Sequence, residues 1–180
     1  MRFDALELAG AFMVRPERHA DERGWFARTF CRDEFTARGL LADFVQCSAS
    51  FNARRGTLRG MHFQRAPYSE TKLARCTRGV VFDVLLDLRP RSRTFRCWHA
   101  AELSEENGVA VYIPAGVAHG FQTLTDAAEV FYQITERYVP GSSSGVRWND
   151  PAFRIDWPIR PPILSDRDGG YCDYHEGEWT

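Results

Sequence analysis

The chain has 180 residues and 44% hydrophobic content, enough for one compact core of ordinary make-up. Its 23 basic and 24 acidic residues leave a net charge of −1. That excludes the broad basic field that draws nucleic acid or a membrane surface, so an anionic ligand has to be caught locally. No apolar run is long enough to span a bilayer and Met1-Arg2-Phe3-Asp4 lacks a leader pattern. The expectation is therefore a cytoplasmic protein with a single domain over 1–180.

In chain order, Asp33 to Leu40 reads as a short helix, with Asp33 as N-cap, an acidic first turn and Gly39 at the stop. It is the only helix the pattern predicts with force. Residues 79–88, 109–113 and 128–139 are rich in Val, Phe and Tyr and punctuated by Gly and Pro, which predicts strands. Short strands separated by turns point to an antiparallel sandwich or barrel. From Pro151 onward the chain is rich in Pro, Trp and Asp with little periodicity, and is expected to wrap the outside.

Five cysteines, Cys31, Cys47, Cys76, Cys97 and Cys172, are odd in number and form no CxxC pair, so they read as free thiols. Of the 23 basic residues only Lys72 is a lysine. A bias toward arginine codons explains the excess of arginine. The exception is informative, because a site that needs a compact, tunable ammonium resists the planar, permanently charged guanidinium.

Two segments hold the chemistry-bearing side chains. The first is Gly56-Thr-Leu-Arg59-Gly-Met-His62-Phe-Gln64, followed by Lys72. Arg59 and His62 are three apart, which strand alternation does not put on one face, but Gly60 between them permits a bulge that aims both inward. The second is Ile113-Pro-Ala-Gly116-Val-Ala-His119-Gly-Phe121. It matches the PxGxxH second motif of the cupin superfamily, and Gly56-x5-His62 matches the opening of the first. The fold implied is all-β, a cupin-type antiparallel jelly-roll barrel with a few short peripheral helices. Metal-holding cupins use an HxH pair plus a carboxylate. Here Gln64 stands at the second histidine and the nearest carboxylate, Glu70, is at an irregular offset, so His62 and His119 are too few for a tight transition-metal site. No metal and no cofactor are expected. Alone, Tyr132 in its strand reads as a core tyrosine, and Asp166-Arg167-Asp168 in the tail as a solvated loop.

Taken together, these segments resemble the dTDP-4-dehydrorhamnose 3,5-epimerase family over nearly the whole chain. The likeness runs in order through Asp21 to Phe26, Gly56 to Gln64, Lys72 to Arg75, Gly79 to Val84, Asp87 to Arg89, Ile113 to Phe121, Trp148 to Pro151, Trp157-Pro158 and Leu164 to Asp168. It implies a metal-free, homodimeric enzyme acting on a nucleotide-diphosphate sugar, at C3, C5 or both of a 4-keto-6-deoxy sugar. By that resemblance His62 is the general base, Asp168 orients it, Tyr132 is the acid on the opposite face and Lys72 lies near the ketone. Arg59 and Arg23 grip the diphosphate. Phe26, Gln46, Ser48, His119 and Arg167 are further substrate contacts. The chain departs from the family pattern where Arg28 and Ser143 stand for glutamates, Ser48 for an asparagine and Arg167 for a lysine. The chemistry is thus kept, while the nucleotide or the sugar is expected to differ from that of the rhamnose route. Other readings are a 4-keto to 3-keto sugar isomerase, a metal-dependent cupin oxygenase and a non-catalytic sugar-binding cupin.

Overall fold

The structure is a computed structural model that describes residues 1–175. In chain order it contains β1 (Arg2–Ala5), β2 (Phe12–Arg15), β3 (Arg18–Asp21), β4 (Gly24–Ala27), α1 (Arg32–Thr36), β5 (Gln46–Asn52), β6 (Leu58–Gln64) and β7 (Lys72–Arg78). There follow β8 (Val80–Asp87), β9 (Trp98–Ser104), β10 (Ala110–Ile113), β11 (Val117–Thr123), β12 (Ala128–Ile134), β13 (Ser143–Gly145) and α2 (Asp166–Gly169).

A six-stranded sheet, in the order β1-β2-β10-β7-β12-β5, packs over a five-stranded sheet in the order β13-β6-β11-β8-β9. All strand pairings within the two sheets are antiparallel. This is the cupin-type architecture expected. Period-two alternation explains the layers. Val111 and Ile113, Ala74 and Cys76, Val81 and Leu85, and Val117 and Phe121 point between the sheets into one core. Their strand neighbours Ala110, Tyr112 and Leu73 face out from the six-stranded sheet and pack under Phe35 of α1. Val84, Leu86 and Ala118 face out from the other sheet and are covered by Phe153, Ile155 and Trp157.

Two expectations need correction. The predicted helix 33–40 is only Arg32–Thr36; its N-cap is Cys31, which makes no side-chain cap, while Asp33 lies in the first turn and Gly39 takes φ 71° just beyond. The strand expected over 128–139 ends at Ile134, where the chain bends at 135–136 and leaves the sheet on the way to Pro140. The tail wraps the outside as expected: Trp157 is buried with its indole N–H donated to the Trp148 carbonyl, and Ser165 caps a second helix, α2, by accepting from the Asp168 N–H. Tertiary burial supplied what local periodicity did not signal.

Candidate functional site

The inner faces of the two sheets part at one end of the sandwich, where polar residues replace the apolar core. On β6 the alternation is broken. Leu58 and Met61 both belong to the outer core, three residues apart, so Arg59 and His62 both face inward. The register of β11 against β6 shifts at this point, His119 opposing His62 but Phe121 opposing Arg59. Gly60 makes the irregularity possible, with φ 135° and a hypothetical Cβ only 2.5 Å from Gly120 Cα. The bulge expected at Gly60 is therefore present, and it does what was expected of it.

Arg59, His62, His119, Lys72, Tyr132 and Ser48 line one cavity of about 270 Å³. The strands that carry His62 and Tyr132 belong to different sheets, so the two side chains enter the cavity from opposite walls. Ser48 is the direct cross-strand partner of Tyr132 and so shares its face. A second cavity of about 160 Å³ shares His62, Lys72 and Ile134 with the first and adds Gln46, Ser143 and Arg167, with Tyr138 and Glu70. Together they form one cleft with two lobes.

His62 Nε2 lies 2.6 Å from Asp168 Oδ1. The carboxylate fixes the proton on Nε2 and leaves Nδ1 as the proton acceptor of the neutral ring. Burial pushes the Asp168 carboxyl up, but the hydrogen bond and charge of His62, with help from the Gly60 N–H and Arg167, outweigh it and hold it below the usual carboxylate range. The tail segment that taken alone reads as a solvated loop is thus a short helix with a buried aspartate. Tyr171 packs edge-on against the His62 ring, with centroids 5.9 Å apart, and its hydroxyl accepts from Arg167 Nε at 2.9 Å.

Tyr132 makes no hydrogen bond through its hydroxyl among the described residues. Burial and the neighbouring Asp83 carboxylate raise its pKa far above the ordinary phenol value, against a smaller pull from Arg59. The phenol is therefore held in its protonated form. Its ring stands edge-on to His119, whose Nε2 is 2.8 Å from Asp83 Oδ2 in a second, fully interior pair. Arg59 Nε donates to Asn52 Oδ1 at 2.7 Å, which aims the guanidinium along the cleft. Lys72 is held by Glu70 at 2.9 Å. Arg167 Nη2 donates to Ser143 Oγ at 2.6 Å, so the arginine and the serine that depart from the family pattern are partners.

Two expected contacts lie elsewhere in the single chain. Arg23, with its side chain 85% exposed, sits at the turn of the β3–β4 hairpin and pairs with Asp21. Phe26, 73% exposed on the same hairpin, borders a separate cavity of about 130 Å³ with Arg28 and Glu34. The hairpin is its own two-stranded sheet and does not reach the cleft of the chain it belongs to. Conversely, sequence reasoning missed Asp83, Glu70 and Tyr171 as members of the site. Asp83 stood in a strand read as core, Glu70 was weighed only as a metal ligand, and Tyr171 carries no local signal. Among the described residues no group of three or more His, Cys, Asp and Glu is placed to hold a metal ion.

A family profile described as dTDP-4-dehydrorhamnose 3,5-epimerase matches residues 5–176. The dTDP-4-dehydrorhamnose 3,5-epimerase of Methanothermobacter thermautotrophicus is 44% identical over 178 residues, covering 97% of this chain and 95% of that protein. A crystal structure of the enzyme of that name from Elizabethkingia anophelis superposes with a TM-score of 0.94 at 35% identity, over 97% of this chain and 96% of the other. Another from Bacillus anthracis, with TDP and PPi bound, gives 0.93 at 36% identity, over 96% and 99%. A two-lobed cleft with a His–Asp pair facing a partly buried tyrosine is thus found on a chain whose sequence and fold both match over nearly their full length, and the chain belongs to the dTDP-4-dehydrorhamnose 3,5-epimerase family.

Proposed function

We propose that one domain spanning the chain epimerises a nucleotide-linked 4-keto-6-deoxy sugar at C3, C5 or both, by removing a proton from one face of the sugar and returning one to the other. The observation that carries this reading is the His62–Asp168 pair at 2.6 Å on one sheet, facing Tyr132 on the other across a shared cavity. His62 takes the carbon proton through Nδ1, and Asp168 steadies the imidazolium that results. The electron pair moves onto the ketone oxygen, where the Lys72 ammonium stabilises the enolate. Tyr132 then delivers a proton from the opposite wall, which inverts the carbon, whereas return from His62 would restore it. The phenolate left on Tyr132 is reprotonated from solvent as His62 gives up its proton.

Arg59 grips the diphosphate through forked, charge-assisted hydrogen bonds. Gln46, Ser48, His119 and Arg167 line the cleft as further substrate contacts. The family's relatives bear dTDP-sugar names, and Ser48 and Ser143 both line the cleft, so the nucleotide and sugar preference is read by binding across dTDP-, GDP-, UDP- and CDP-linked 4-keto sugars. We place the enzyme in the cytoplasm, a reading that the five free thiols support; no helix of the described residues is long and apolar enough to cross a membrane.

The functional unit in this reading is a homodimer. β5 is a seven-residue edge strand with exposed Phe51, and Trp25 and Phe26 stand exposed on the hairpin. A long open edge strand and exposed aromatics of this kind need a cover. A second copy provides it and brings the hairpin of one chain, with Arg23 and Phe26, to the cleft of the other.

The test is incubation with a 4-keto-6-deoxy sugar nucleotide in D2O. Deuterium is expected at C3, C5 or both with inversion, and His62→Asn should lose the exchange. Exchange retained at both carbons in that variant would defeat the mechanism, and a 3-keto product without inversion would assign the isomerase reading.

A further inference from the structure

We propose that Glu70 is a positioning residue for Lys72: its carboxylate holds the chain's single ammonium at the cleft wall and ties it to the strand that carries the base. The inference rests on the reading of Lys72 as the group that stabilises the enolate. Glu70 Oε1 is 2.9 Å from Lys72 Nζ, and Glu70 Oε2 accepts the backbone N–H of Gln64 at 3.0 Å. Gln64 lies two residues after His62 on β6, whereas Lys72 opens β7 in the opposite sheet. One carboxylate thus spans the two walls and sets the spacing between base and ammonium.

Both ends of this link are firmly held. The Gln64 side chain donates to the Tyr68 and Arg137 carbonyls and accepts from the Ser142 hydroxyl. On the other wall the Thr135 N–H donates to the Thr71 carbonyl, and the Thr135 hydroxyl accepts from the Thr71 N–H. The pair is desolvated, the Lys72 side chain being 12% exposed and that of Glu70 6%. A flexible four-carbon stem in such a place needs a partner, since a lone buried ammonium is costly and an untethered one wanders. Glu70 takes one of its three N–H donors. The Lys72 ammonium has no other hydrogen-bond partner among the described residues, so its remaining donors are free for a ketone oxygen in the cleft. A neutral amide at residue 70 would still tie Gln64, but it would leave the charge unmatched and the stem loose.

The test is a double-mutant cycle on the full chain, with deuterium exchange and turnover measured on the same 4-keto sugar nucleotide. Glu70→Gln should lower kcat by about 10–100-fold with KM moved less than about threefold. In a Lys72→Met background the same change should alter kcat by less than about twofold, because the group it serves is gone. Should Glu70→Gln alone not fold, Glu70→Asp, which draws the anion back by one methylene, is read in the same two backgrounds. Because Lys72 is the chain's only lysine, its acetylation by acetic anhydride is resolved by mass spectrometry, and it should run severalfold faster once the tether is lost. Unchanged kcat in the Glu70 variant, an equal loss in both backgrounds, or equal acetylation rates would each overturn the proposal. If Lys72→Met by itself keeps full turnover, the role given to Lys72 fails first, which separates the two failures.

Discussion

At the scale of single residues, the proposed mechanism relies on opposite protonation states for groups in one cleft. Asp168 is held ionised by its histidine although it is buried, while Tyr132 is held neutral by burial and by the Asp83 carboxylate behind it. Asp168→Asn keeps the shape but offers the ring an amide, which does not stabilise an imidazolium. Turnover should fall by about 10²–10⁴-fold with little change in substrate affinity, as measured by kcat against Kd. The same residue carries a pH signature. Its folded-state pKa lies below the unfolded one, so the stability it adds is whole above about pH 4 and is lost as pH falls through the lowered value. The melting-temperature gap between wild type and Asp168→Asn should therefore narrow as pH drops from about 5 to about 3. A gap that stays constant would show that the carboxylate's charge plays no part in it.

At the scale of elements, the decisive one is β6. A regular strand would send Arg59 and His62 to opposite faces, and the break at Gly60 brings both into the cleft while Leu58 and Met61 stay in the outer core. The backbone of β11 presses against it, with Gly60 and Gly120 meeting where neither tolerates a side chain. Gly60→Ala introduces a methyl 2.5 Å from Gly120 Cα at φ 135°, a conformation that L residues avoid. We expect a loss of about 3 kcal/mol or more, read as a fall in the urea midpoint, together with loss of activity. A variant that melts like the parent and still turns over would mean that the break is not needed. α2 serves the site in the same way from the other side, its Ser165 cap fixing the turn that delivers Asp168 to His62.

At the scale of the molecule, the dimer reading predicts a particle of twice the chain mass by light scattering. Mixing His62→Asn with Arg23→Ala should give more activity than either variant alone, since a hybrid dimer holds one cleft with both residues intact. A monomeric mass, or no gain on mixing, would return Arg23 to the surface role it has in the single chain. How much of this was legible beforehand follows from the range of the interactions. Alternation, turn residues and the two cupin-like motifs determined an antiparallel jelly roll, because strand faces are set by neighbours two residues apart. The single lysine and the Gly60 break likewise pointed to the cleft from sequence alone. The pairing of His62 with an aspartate 106 residues away could be assigned only by resemblance. The end of the helix at Thr36 and the burial of Trp157 and Asp168 in the outer wrap were not legible, because they depend on packing against sheets distant in sequence. The bond from Glu70 to Gln64 and the exile of Arg23 and Phe26 from their own cleft were likewise decided only by tertiary structure. Local chemistry chose the side chains, but the meeting of two sheets chose which of them share a site.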